Sequence, residues 1–417
     1  MHKKRAIILL AAAAVLLVLL GLGLSLLLQP QRVTGFVLHT LGKSLGLEIT
    51  ATGTSEYRLR GGPLLVVRNV AVHEPGAETP LLRAQRMHVS VPWSTVRSRG
   101  EQLDITRIEL DAPVLDLPAL QHWLATRPPG KSRMPTLSDG LQVSDGRIDG
   151  DGWRVDGLAI SLPRFQPDRR VEGRASGRFA AGELALRFDL AVAMSRPAND
   201  AGIAIVGPVT ASSGSWRLPA RVWLSAPLHF GDDGIRSQRL RARVGGRYES
   251  GDTRLPFAFA ITSPLLLRGG TLALAPAGIA LRGDGLVPDI DAGGTLAHGK
   301  RLLLDMEGKL ADWPEAWPAL PPPIGESDAP LPFTLHYLGR ANLSDPASLR
   351  LRRDETRLDA RFRLPDVTTW MASAANGSPL PPLSGHLSTP RLEISGAQLE
   401  GVEIRIEDPS LPRDAAP

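Results

Sequence analysis

The sequence predicts a mainly β protein: one N-terminal transmembrane helix followed by a long, mostly antiparallel β-sheet structure with a few short helices. Three observations carry this prediction. Ala6 to Leu28 holds no charged side chain and consists of Leu, Ala, Val and Ile interrupted only by Gly21, Gly23 and Ser25. From Leu47 onward apolar residues alternate with polar ones, the period of a half-buried strand, and Gly, Asp and Asn cut the chain into short runs. Cysteine is absent, which excludes a disulfide scaffold, thiolate metal sites and a cysteine nucleophile together.

The apolar segment comes first in the chain. At about 1.5 Å of rise per residue, Ala6 to Leu28 reaches roughly 35 Å, enough to cross the hydrocarbon layer. A secretory signal would have a shorter apolar stretch and a small-residue cleavage site, whereas Leu26-Leu27-Leu28-Gln29-Pro30 follows here. Lys3, Lys4 and Arg5 hold the N-terminus in the cytoplasm by the positive-inside rule, so the expectation is a single-pass inner-membrane protein of a Gram-negative cell, its bulk periplasmic. Residues 1–29 then form the cytoplasmic tip and transmembrane helix. Val33, Phe36, Val37, Leu41 and Leu45 continue at helical spacing as a short amphipathic helix.

The formal net charge is +5, and Lys3, Lys4 and Arg5 carry three of it, leaving +2 for the remainder. That balance is no nucleic-acid footprint. Basic residues mix with acids, as from Arg350 to Arg363 with Asp354, Glu355 and Asp359, and read as a solvated strand face.

Strands are predicted at Leu64 to Val72, Leu81 to Val91, Leu103 to Leu110 and Val114 to Leu117. Two short helices beginning with Pro interrupt them, Pro92 to Ser98 and Pro118 to Thr126. This closes an N-terminal module at residues 30–126, followed by a linker, RPPGKSRMP, at 127–135. An antiparallel β region spans 136–313, a Pro-rich break 314–332, and a last block of strands 333–417, with Phe333 to Tyr337, Arg357 to Leu364, Arg391 to Ile394 and Val402 to Ile406 as its runs. No repeat of fixed length occurs. With so little helix to cover the strands, their apolar face must close on another sheet or stay open to a ligand.

Catalytic and metal chemistry find no pattern. The nine histidines are scattered, none paired at the i, i+4 spacing of a zinc helix. Asp145, Asp149 and Asp151 hint at a calcium loop, but Trp153 stands where a further carboxylate is needed, so a Gly-Asp turn is the better reading. Neither a nucleophile elbow nor a phosphate-binding Gly loop appears. The expectation is a non-enzyme with no cofactor, no metal and no nucleic-acid partner.

What remains is the aliphatic stripe: Leu184, Leu186 and Phe188; Phe257, Phe259 and Ile261; Leu272 and Leu274; Leu302 and Leu304. It is the core of a sandwich or solenoid, or the lining of a lipid groove; the alternation alone leaves both open, and does not say which face is concave. Aromatic residues are 5% of the chain, which suits acyl chains better than sugars.

The stretch Gly46 to Leu117, with PLLVVRNV, LLRAQRMHVSV and ITRIELDAPVLDL in order after a membrane helix, resembles the N-terminal module of the AsmA-like family, and Leu383 to Asp408 resembles its C-terminal strands. The resemblance implies an inner-membrane-anchored periplasmic protein whose antiparallel sheet curves into an elongated trough, associated with phospholipid passage and outer-membrane integrity, and not an enzyme. Its implied partners are the inner membrane, a phospholipid or other acyl lipid, and envelope proteins. The competing expectation is a non-enzymatic periplasmic scaffold for secretion or outer-membrane protein assembly, acting through open strand edges.

Overall fold

A computed structural model describes residue 42 and residues 46–411, apart from 54, 59–62, 93–104, 127–135, 167–168, 232–233, 316, 318–328, 374–380 and 395–396. The membrane span expected at Ala6 to Leu28, its flanking charges, the amphipathic helix after it, nearly all of the Pro92 to Ser98 helix and the 127–135 linker lie outside the described residues. Among those described, no helix is long and apolar enough to cross a membrane. The chain divides into two compact units, Met1–Ala191 and Val192–Pro417.

The first unit is built around β3 (Leu64–His73), which pairs with β1 (Glu48–Ala51) and β2 (Ser55–Arg58) on one side and with β4 (Leu82–Ser90) on the other. Next come β5 (Arg107–Asp111) and β6 (Val114–Asp116), both antiparallel to β4. Helix α1 (Leu117–Thr126) follows, started by Asp116, whose Oδ1 accepts the Ala119 amide at 2.9 Å. The helix carries the chain across the sheet, so β7 (Leu141–Asp149) runs parallel to β5 and β6 rather than antiparallel. Its Ala119 and Trp123 pack on Val67, Val70, Leu65 and Leu81, the last four at most 5% exposed. β8 (Arg154–Leu162), β9 (Val171–Ala181) and β10 (Leu184–Met194) extend the strand series; the unit boundary falls within β10.

The second unit is a meander. β11 (Asp200–Ser213), β12 (Trp216–Gly231), β13 (Gly234–Ser250), β14 (Thr253–Arg268), β15 (Thr271–Gly283), β16 (Ile290–His298), β17 (Leu302–Leu310), β18 (Leu331–Gly339), β19 (Ala347–Arg353) and β20 (Thr356–Phe362) each pair antiparallel with the next. Helix α2 (Leu364–Ser373) precedes β21 (Leu383–Ile394) and β22 (Ala397–Ile406), which close the series. Tight two-residue loops join β13 to β14 and β14 to β15, each starting with a glycine at φ +54°, Gly251 and Gly269, as the right-handed twist of a hairpin demands.

Two features depart from expectation. The strand predicted to run to Leu364 ends at Phe362, because Pro365 suits a first helical turn and the Arg363 carbonyl accepts the amides of Asp366 and Val367, both at 3.1 Å. The segment from Ala347 to Arg353 forms a strand of its own that pairs with β18 and β20.

Candidate functional site: a creased apolar face

Cross-strand register decides which side chains share a face. In the second unit, Ile261 lies opposite Ala242 and Ile279, and Ala292 lies opposite Ile279 and Gly308. Leu265 lies opposite Leu274, which in turn faces Leu296, itself opposite Leu304. Of the residues proposed from sequence as a lining, Phe257, Phe259, Ile261, Leu272, Leu274, Leu302 and Leu304 therefore fall on one face of β14–β17. Leu184, Leu186 and Phe188 stand on β10 in the first unit, Leu184 being 39% exposed and the other two half-buried.

This face is bent along one line. The register slips between β12 and β13, β13 and β14, β14 and β15, and β15 and β16, always at the same level of the sheet. Two surplus residues cause all four slips: one at Gln238-Arg239 in β13, one at Ala275-Pro276 in β15. An extra residue makes a strand bend, and bulges aligned across neighbours bend the whole sheet. The apolar-face residues on the line are buried: Ala226 is 3% exposed, Leu240 7%, Ser263 1% and Ala277 2%. On the opposite face the bulge residues Gln238, Arg239, Ala275 and Pro276 are exposed. Apolar-face side chains are thus crowded together along this line, while the bulge residues are spread on the other face. Gly294, at φ +153°, continues the line into β16, where an added Cβ would collide with the Asp305 carbonyl oxygen.

Among the described residues, the crease packs only with its own strands. Its buried residues, Ala226, Leu240, Ile261, Leu274 and Ala277, and the partly buried residues packed on them, from Ile203 to Leu296, all come from β11–β16. Away from the line Phe257, Phe259, Leu265, Leu281 and Leu304 are only half-buried. Further along the same face the situation changes: Trp313 and Trp317, in edge-to-face contact at 4.8 Å, pack on Leu310, Leu331, Leu351 and Leu387, none more than 6% exposed. Over β11–β16 the stripe is thus half-buried away from the crease, and beyond β16 it packs under Trp313 and Trp317.

Sequence reading missed a second feature. A cavity of about 2020 Å³ lies on the polar face of β14–β22. Its central row runs through successive cross-strand partners, Glu307, Thr334, Arg350, Asp359, His386 and Arg405. Arg350 Nε meets Asp359 Oδ1 at 3.0 Å, with both side chains more than half exposed. The row mixes acids and bases in near balance, and its large volume belongs to a wide solvated concavity rather than an enclosed pocket. Among the described residues no three His, Cys, Asp or Glu side chains gather to hold a metal ion. Asp149 and Asp151 flank a tight turn in which the Gly150 amide donates to the Trp153 carbonyl at 2.9 Å, and Arg147 bridges to Asp156 at 3.1 Å.

No family model, curated protein or solved structure matches the chain.

Proposed function

We propose that the open, creased face of β11–β16 shelters the acyl chains of a phospholipid or similar lipid, in an envelope protein that supports the outer membrane of a Gram-negative cell. The observation that supports this is the half-exposure of an aliphatic face beside the crease, which among the described residues packs only with its own strands. A diacyl lipid has roughly thirty methylenes, and exposing them to water costs on the order of 20 kcal/mol, so a lipid needs such a shelter to leave a bilayer. Phe259, Leu265 and Ile279, on one face, would touch the acyl chain, while the head group stays wet at the rim. No catalytic residue is required, and movement along the face is diffusive.

The AsmA-like resemblance and the apolar segment at Ala6 to Leu28 fit this reading, with the chain held at the inner membrane and the sheet in the periplasm. The second reading is a scaffold that takes partner strands on an open edge; β22 pairs with β21 on one side, which keeps that reading in view. Mass spectrometry of lipids retained by the full chain after purification distinguishes the two. Stoichiometric acyl lipid supports the groove, and a lipid-free chain that crosslinks to envelope proteins supports the scaffold.

A further inference from the structure

The opposite, polar side of the same strands is unusual as well. Both arginines of β12, all five of β13 and both of β14 are exposed. The alternation that directs leucines inward directs every one of these guanidinium groups outward. Against them the three strands carry a single carboxylate, Glu249, already held by Arg247 at 2.9 Å. On the neighbouring strand Asp200 is held by His229 at 2.7 Å. Asp252 belongs to the turn between β13 and β14. Arg236 and Arg268 have partners of their own, so the excess positive charge of this face rests on Arg217, Arg221, Arg239, Arg241, Arg243 and Arg254.

Two large apolar side chains stand among these cations. Trp223 is 43% exposed, lies opposite Arg243, and has the Arg221 guanidinium 5.8 Å from its ring centroid. Leu266 is 39% exposed and lies opposite Arg236. Exposed Pro227 and Pro256 flank them. A phosphate-bearing polymer would neutralise the arginines but leave the indole and the leucine in water. A lipid head-group layer satisfies both, since phosphates lie at the level where Trp settles and the acyl boundary begins just beneath.

We propose that the polar face of β12–β14 docks on an anionic bilayer surface, through its arginines to lipid phosphates and through Trp223 and Leu266 into the interface. The proposal does not depend on what the apolar face carries.

The test uses the full chain held in phosphatidylcholine nanodiscs and mixed with vesicles of phosphatidylcholine, with or without about 30 mol% phosphatidylglycerol. Co-flotation is expected with the anionic vesicles only, and is expected to be lost between about 0.05 and about 0.5 M salt as the Debye length shrinks. Each surface arginine contributes about fivefold in partitioning, so the triple variant Arg221→Gln, Arg241→Gln, Arg243→Gln should bind about 100-fold more weakly with its melting transition unchanged. Trp223→Ala should weaken binding without altering the salt dependence. Equal flotation with neutral vesicles, binding that survives high salt in the unaltered chain, or tighter binding to duplex DNA than to the anionic vesicles would each overturn the proposal.

Discussion

Leu240 and Ser263 face each other directly across β13 and β14, 7% and 1% exposed, beside the point where β13 carries one residue more than its partner. A small polar side chain so deeply buried on an apolar face marks where the sheet folds on itself. Its hydroxyl donates to the Pro264 carbonyl at 2.6 Å, which removes the cost of burying it. Deleting Arg239 would remove the surplus residue while keeping Ser237 and Leu240 on the same face. The expected outcome is a folded chain with a flatter sheet, higher exposure at Ser263 and weaker lipid retention, read by hydrogen exchange of β13 and β14 together with lipid mass spectrometry.

Ile261 is 8% exposed within the crease cluster, whereas Phe259, two residues away on the same face, is half-buried. Ile261→Ala should cost about 2–4 kcal/mol, because deleted methylenes leave a cavity the bend cannot close. Phe259→Ala should cost less despite the larger side chain, since part of its surface is already in water. Denaturant unfolding of the two variants checks the order.

Trp317 anchors the seal over the far end of the stripe. Its Nε1 donates to the Leu286 carbonyl at 3.0 Å and its ring meets Trp313 edge to face. Trp317→Ala should destabilise the second unit by about 2–3 kcal/mol, from lost ring contact, a lost hydrogen bond and newly wetted leucines. Thermal unfolding followed by near-ultraviolet circular dichroism would report it, and an unchanged transition would mean that Trp317 does not hold the cover.

Acid should loosen the end of the described chain. The Ser410 amide donates to Asp408 Oδ1 at 2.8 Å and, with the Ser410 hydroxyl and Arg363, holds the Asp408 carboxyl below its ordinary value of 3.8. A depressed carboxylate stabilises the fold above its unfolded pKa and loses that contribution as pH falls through the folded value. Protection of the Ser410 amide against exchange should therefore fall under acid conditions below the ordinary carboxylate range, and Asp408→Asn should remove the dependence.

Much of the strand series was legible from alternation alone. Leu184, Leu186 and Phe188, or Phe257, Phe259 and Ile261, announce strands because a pleated chain exposes one face in two. The crease was less visible, although it leaves a trace: apolar positions in β13 change phase from Ile235 to Leu240 and Ala242, and those in β15 change phase from Leu272 and Leu274 to Ala277 and Ile279. A phase change inside one strand is what a bulge requires, and it was masked here by Arg239 and Pro276 in the surplus positions. Helix α2 was hidden by Val367, Thr368 and Thr369, whose branched side chains favour strands. The arginine face and the row from Glu307 to Arg405 escaped notice for a different reason. Both arise from register between strands, and intervals along one chain do not reveal which charges become neighbours.

The most direct measurement of the central claim is site-specific photocrosslinking in living cells. A benzophenone side chain at Phe259, on the apolar face, should capture acyl lipid, and the same group at Ala258, one residue along and on the opposite face, should capture far less. Equal lipid capture at both positions, or capture of protein alone at Phe259, would contradict an open lipid-bearing crease.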